Sequence, residues 1–128
     1  MIVLDASVLI GHLDARDPHH EKATKLLAES DAEPLGASAI TLAETLVAPA
    51  RARRLEEAKA VLERLGVKEL GLGENAPSRL ATLRAATGRK MPDCCVLAAA
   101  QRHEASVASF DGDLRKAARK LGGITPSG

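Results

Sequence analysis

Five carboxylates stand where an acidic side chain can do chemistry: Asp5, Glu44, Asp93, Asp111 and Asp113. Asp5 follows the apolar run Ile2-Val3-Leu4, and Glu44 ends Thr41-Leu42-Ala43-Glu44. Asp93 follows Met91-Pro92, and the last two lie in Ser109-Phe110-Asp111-Gly112-Asp113. Two small hydroxyls, Ser7 and Ser109, each stand two residues from an acid. Taken singly, every acid also reads as a helix cap or a first-turn carboxylate. Thr41 with Glu44 has the spacing of a capping box, and Ser7 is placed to cap the helix carrying Val8, Leu9 and Ile10.

The elements that position these acids follow from hydrophobic patterning. Ile2, Val3 and Leu4 suit a strand buried on both faces, in the middle of a sheet. A turn at Asp17-Pro18 leads to a helix with Ala23, Leu26 and Leu27 inward. Residues 34–38 form a short strand, and residues 41–48 a helix that Pro49 closes. Leu55, Ala58, Val61, Leu62 and Leu65 share one helical face, with Gly66 as its stop. Residues 67–70 read as a third strand and 74–87 as a helix, with Ala76, Leu80 and Leu83 inward and Gly88 at its end. Pro92 opens a helix that is apolar all round from 94 to 100, hence buried. Residues 105–109 give a fourth strand. Leu114, Ala117, Ala118 and Leu121 stripe a last helix, and a turn at 122–123 precedes a vestigial fifth strand at 124–125.

Strands alternating with helices predict an α/β fold, a parallel sheet with helices on both faces. That topology collects the acids at the carboxyl edge of the sheet, where open α/β sheets bind ligands. Carboxylates gathered so closely repel, each pair by about 4 kcal/mol at 4 Å and an effective dielectric near 20. Caps have no need of such a gathering. A hard divalent cation removes the conflict, and all-oxygen ligands point to Mg²⁺ or Mn²⁺.

Bulk properties narrow the partners. The 128 residues, with 45% apolar and 27% charged side chains, predict one domain spanning 1–128. Phe110 is the lone aromatic, which argues against base-stacking platforms of the RRM or OB kind. A net charge of +1 supplies no global field for nucleic acid or membrane, so a polyanion needs a local patch or a metal. Arg51, Arg53, Arg54, Arg89 and Lys90 are candidates for flanking phosphates, although each also reads as solvated surface. Cys94 and Cys95 are adjacent, too divergent on one helix for a relaxed disulfide, and read as small buried hydrophobes. The reducing compartment this implies, with no targeting or spanning segment read in the sequence, predicts a cytoplasmic protein.

The ordered set resembles a known family. Leu4-Asp5-Ala6-Ser7-Val8-Leu9-Ile10, Thr41-Leu42-Ala43-Glu44, Met91-Pro92-Asp93 with its alanine-rich helix, and Ser109-Phe110-Asp111-Gly112-Asp113-Leu114 are similar to the four motifs of PIN-domain nucleases. The size is most like that of the VapC toxins of toxin–antitoxin pairs. The resemblance spans essentially the whole chain and rests on the set, since no single motif is specific. It implies a three-layer αβα sandwich with a short parallel sheet. It implies a Mg²⁺- or Mn²⁺-dependent endoribonuclease, a homodimer, and a small antitoxin that blocks the site. Carried over by position, Asp5, Glu44 and Asp93 are the core acids. Asp111 and Asp113 both fit the fourth place, with Asp111 preferred, and both stand among the metal-binding candidates. Ser7 and Ser109 match hydroxyls that support a carboxylate or a metal-bound water. The scarcity of aromatics departs from the family pattern and bears on the partner surfaces.

The expected reaction is therefore hydrolysis of an RNA phosphodiester. A haloacid-dehalogenase-like phosphatase also opens with strand then Asp, but it needs a second Asp where Ser7 stands. A response-receiver domain needs an acidic pair near the start. His12, His19, His20 and His103 do not cluster in sequence, which disfavours a metal-free histidine nuclease. A catalytically silent module of the same fold, binding nucleic acid or protein, is the alternative outside enzymology.

Overall fold

Ile2–Leu4 forms β1, buried along its length, and it lies inside the sheet as its apolar run requires. The computed structural model describes residues 1–122, so the expected strand at 124–125 falls outside them. Three further strands pair with β1 or with each other: β2 (Leu35–Ser38), β3 (Val67–Leu70) and β4 (Ser106–Ala108). All pairings are parallel, in the order β3-β2-β1-β4. Seven helices alternate with them among the described residues: α1 (Ala6–Leu13), α2 (His20–Glu29), α3 (Ala39–Arg51), α4 (Leu55–Leu65), α5 (Ala76–Thr87), α6 (Met91–Arg102) and α7 (Gly112–Lys120).

The pleat divides the core in two. Val3, Val107 and Leu70 pack with Leu83 of α5, the buried run of α6, and Leu114 and Ala118 of α7. Ile2, Leu4, Leu35, Ala37 and Ala108 face the other way, against Val8, Leu9, Leu26, Leu27 and Leu62. This is the expected three-layer αβα sandwich. Residues 93–100 of α6 are all buried, and after Asp93 the run is made only of Cys, Val, Leu and Ala. Cys94 and Cys95 are free thiols within it, and burial pushes both above the usual thiol range. No described helix is long and apolar enough to cross a membrane.

The boundaries correct several expectations. Helix α3 begins at Ala39, not at Thr41, because Ser38 is its cap: the Ser38 hydroxyl accepts from the Thr41 amide at 3.2 Å. Thr41 is thus the third helical residue, and Glu44 has no part in a capping box. Pro49 lies inside α3, near its end. It removes only its own amide bond, and pairing resumes with the Ala52 amide on the Ala48 carbonyl at 3.0 Å. Helix α5 starts at Ala76, after a turn at Glu74 and Asn75. Leu121 follows α7 and is 37% exposed, while Leu114, Ala117 and Ala118 keep the stripe. Gly66 and Gly88 end their helices with left-handed φ values of 75° and 70°, as their places in the pattern predict.

Candidate active site

Asp5 is placed by the sheet register. Leu4 pairs with Ala108, and the Asp5 amide donates to the Ala108 carbonyl at 2.9 Å, so Ser109 falls beside Asp5. β1 continues to β2 on one side while β4 returns on the other, making this seam the switch point of the sheet. Asp5 holds the cap position of α1, yet its carboxylate makes no capping bond. Instead Ser7 and Ser109 donate their hydroxyls to its Oδ2, at 2.8 and 2.7 Å. Each hydroxyl in turn accepts a backbone amide, Phe110 N–H on Ser7 at 3.1 Å and Asp111 N–H on Ser109 at 3.0 Å. Two amides thereby orient two hydroxyls toward one buried carboxylate. Ser7 is therefore a support of Asp5, not the cap of α1.

Asp93, the third residue of α6, is buried and paired with Arg89. The Arg89 Nε and Nη2 both donate to Asp93 Oδ2, at 3.0 and 2.7 Å. Nη2 also reaches Asp111 Oδ2 at 3.2 Å, and Nη1 lies 3.8 Å from Asp113 Oδ2. Asp111 does double duty: its Oδ1 caps α7, accepting from the Asp113 and Leu114 amides, while Oδ2 takes the guanidinium. Asp113 is 81% exposed and has only the longer contact, so Asp111 is the better placed of the two.

Glu44 is exposed in the second turn of α3. Its pKa is raised, first by partial desolvation, then by the Asp5 charge, with Asp93 adding and Lys90 opposing. Acids from β1, α3 and α6 thus feel one another across one rim. Lys90, at the start of α6, stands close enough to contribute. Arg51 ends α3, about 10 Å along the axis from Glu44 at 1.5 Å per residue. Arg53 follows in the turn, and Arg54 stands at the cap position of α4. Arg54 lines a groove of about 650 Å³ between α1, α3 and α4, whose other walls include Ile10, Leu13, Ala48 and Glu44 itself.

The donor chemistry at the rim suits a hard cation. All candidates are oxygens, and Oδ1 of both Asp5 and Asp93 receives no hydrogen bond from a described residue. The side chains as they stand are not drawn into one ligand set: no three His, Cys, Asp or Glu among the described residues could hold a metal ion. The expected convergence is thus corrected in form. The guanidinium of Arg89 stands between Asp93 and the α7 acids and relieves their repulsion. Sequence reading placed Arg89 among the phosphate contacts and missed this role. The available signal was its i, i+4 spacing to Asp93.

The histidines also meet in ways the sequence spacing hides. The His12 and His20 rings stack at 6.4 Å, and His19 lies on Phe110 at 4.8 Å. Their ring nitrogens have structural partners: His12 pairs with Thr24 at 3.0 Å, and His20 with the Gly11 carbonyl at 2.8 Å. They tie α1 to α2. His103 bonds the Gly71 carbonyl, apart from the other three.

The fold and the rim together define a parallel α/β protein with carboxylates collected at the switch point of its sheet. The chain belongs to the PIN domain family, whose profile matches residues 2–120. Among curated proteins none matches it by sequence. Solved structures with the same fold include the following three. A toxin–antitoxin complex from Klebsiella pneumoniae is 23% identical, with 99% of this chain and 98% of that one aligned and a TM-score of 0.80. VapC20 of Mycobacterium tuberculosis, described as a sarcin-ricin loop cleaving toxin, is 20% identical over 97% of each chain, with a TM-score of 0.72. FitAcB from Neisseria gonorrhoeae is 23% identical over 93% of this chain and 94% of that one, at 0.67.

Proposed function

We propose that this chain is a metal-dependent endoribonuclease, a single PIN-like nuclease domain acting as the toxin of a toxin–antitoxin pair in the cytoplasm. One observation carries the reading. Asp5 sits at a helix N-terminus and does not cap it; two amide-oriented hydroxyls hold its carboxylate at the rim instead. A structural cap has no use for such a device, whereas a metal ligand or catalytic acid does. The likeness to the VapC20 toxin and to the Klebsiella toxin–antitoxin complex supports RNA as substrate and an antitoxin as partner.

Asp5, Asp93 and Asp111 would hold Mg²⁺ or Mn²⁺, with Asp113 beside them, and the ion would supply an activated water and charge neutralisation at the phosphate. Ser7 and Ser109 hold the Asp5 carboxylate in one orientation. Glu44, exposed and with a raised pKa, orients the attacking water and accepts its proton. Lys90 and Arg89 stand at the rim to hold phosphates flanking the scissile bond, Arg54 extends that track into the groove, and Arg51 and Arg53 lie beside it in the chain. The groove leads to Glu44, so an antitoxin segment laid in it would end on the acids and block them. The exposed apolar side chains Ile40, Val47 and Met91 offer surface for a homodimer.

End-group analysis of cleaved RNA tests this. Attack by water leaves a 5′-phosphate and a 3′-hydroxyl, and EDTA abolishes cleavage. Cyclic phosphate ends, or cleavage that survives EDTA, would overturn the reading in favour of attack by the RNA's own 2′-hydroxyl.

A further inference from the structure

Arg89 is held in place by more than its side-chain contacts. It follows Gly88, the left-handed end of α5, and its amide donates to the Thr87 hydroxyl at 3.1 Å. Its carbonyl accepts from Arg84 Nη1 at 2.8 Å and from the Cys94 thiol at 3.4 Å. A backbone so anchored presents the guanidinium to the start of α6 and the start of α7 at once. The side chain is 21% exposed and engages carboxylates of Asp93, Asp111 and Asp113. These contacts hold the guanidinium pKa above its ordinary value, through the Asp93 hydrogen bond first, so the group is a permanent cation.

We propose that Arg89 is the resident counter-ion of the acid rim and competes with the divalent cation for Asp93 and Asp111. The proposal rests on the metal-site reading above. A doubly charged ion and a guanidinium on the same two carboxylates repel at short range. Binding of one therefore weakens binding of the other, and this negative coupling is reciprocal. Without metal, Arg89 holds the α6 and α7 acids together; with metal, it gives way and is free to meet a phosphate. Loading then needs a higher free metal concentration than a bare carboxylate cluster would.

Calorimetric titration of the full chain with Mn²⁺ tests this, comparing the unaltered protein with Arg89→Gln and Arg89→Lys. Arg89→Gln is expected to bind Mn²⁺ about tenfold more tightly, within the usual range of such couplings. Arg89→Lys, a point charge that cannot span three carboxylates, should fall between the two. Without metal, Arg89→Gln should melt below the unaltered protein, and saturating Mn²⁺ should close that gap. Mn²⁺ binding unchanged or weaker in both variants would overturn the proposal and make Arg89 a support of the site; the site reading would stand. Absence of Mn²⁺ binding in all three proteins at millimolar metal would overturn both.

Discussion

At the residue scale, the rim distinguishes acids that look equivalent in sequence. Asp5 is held by hydroxyls, Asp93 by a guanidinium, Asp111 by both a cap and that guanidinium, and Glu44 by solvent. Substitutions should separate accordingly. Asp5→Asn keeps one oxygen acceptor for Ser7 and Ser109, so it should stay folded and lose RNA cleavage. Asp93→Asn should also lose cleavage, but it leaves Arg89 without its main partner and should cost about 1–2 kcal/mol in urea unfolding without metal. Asp111→Asn retains the cap, since Asn caps as well as Asp, and should cut turnover more than Asp113→Asn. An active Asp111→Asn protein beside an inactive Asp113→Asn one would reverse that assignment. Glu44 carries a pH signature. Its raised pKa means that the folded state binds the proton more tightly than the unfolded one. Its contribution to stability is therefore full below the ordinary glutamate value of 4.5 and falls as pH rises through the folded value. Glu44→Gln mimics the protonated form. Metal-free Glu44→Gln should therefore melt above the unaltered protein at neutral pH, and the difference should vanish below about pH 4. Equal melting temperatures at both pH values would remove Glu44 from the shared field of Asp5 and Asp93.

At the element scale, most of the architecture was legible because short apolar runs and helical stripes are local signals. The four described strands, the buried α6 and the glycine stops at 66 and 88 all lie where patterning put them. The start of α3 was not legible, because two caps compete there. Thr41-Leu42-Ala43-Glu44 has the right spacing, but Ser38 is the last residue of β2, is 1% exposed, and meets the first free helical amides as the chain turns. Tertiary position decided between two sequence-equivalent hydroxyls. The same β2 carries a packing constraint that no local pattern reveals. A side-chain carbon on Gly36 would lie 2.5–2.9 Å from Leu70 Cδ1, Cγ and Cδ2 on β3, whose side chain covers the strand. Gly36→Ala should then destabilise by about 1–3 kcal/mol in denaturant unfolding, as overpacking does. In a Leu70→Ala background that increment should largely disappear, because the clash is with that one side chain. Additive costs in the double variant would place the strain in the backbone of β2.

At the scale of the whole molecule, two surfaces meet at Glu44. The acid rim was readable because parallel topology sends every strand end to one edge, so acids after strands needed no contact information. The groove was not readable, since its walls come from residues as far apart as Ile10 and Val61 and share no motif. The two uses proposed for it, substrate track and antitoxin seat, both need it open. Ala48 lies four residues after Glu44 on α3, so it is one turn further along the same face, inside the groove. A tryptophan there would fill the groove and press on Glu44. Ala48→Trp should therefore slow RNA cleavage by the isolated protein. It should weaken inhibition by the cognate antitoxin by about 2 kcal/mol, roughly thirtyfold, because an inserted side chain can no longer be accommodated. The check is a titration of the cleavage rate with antitoxin for both proteins. Equal inhibition would place the antitoxin on another face, and an unchanged cleavage rate would take the RNA out of the groove.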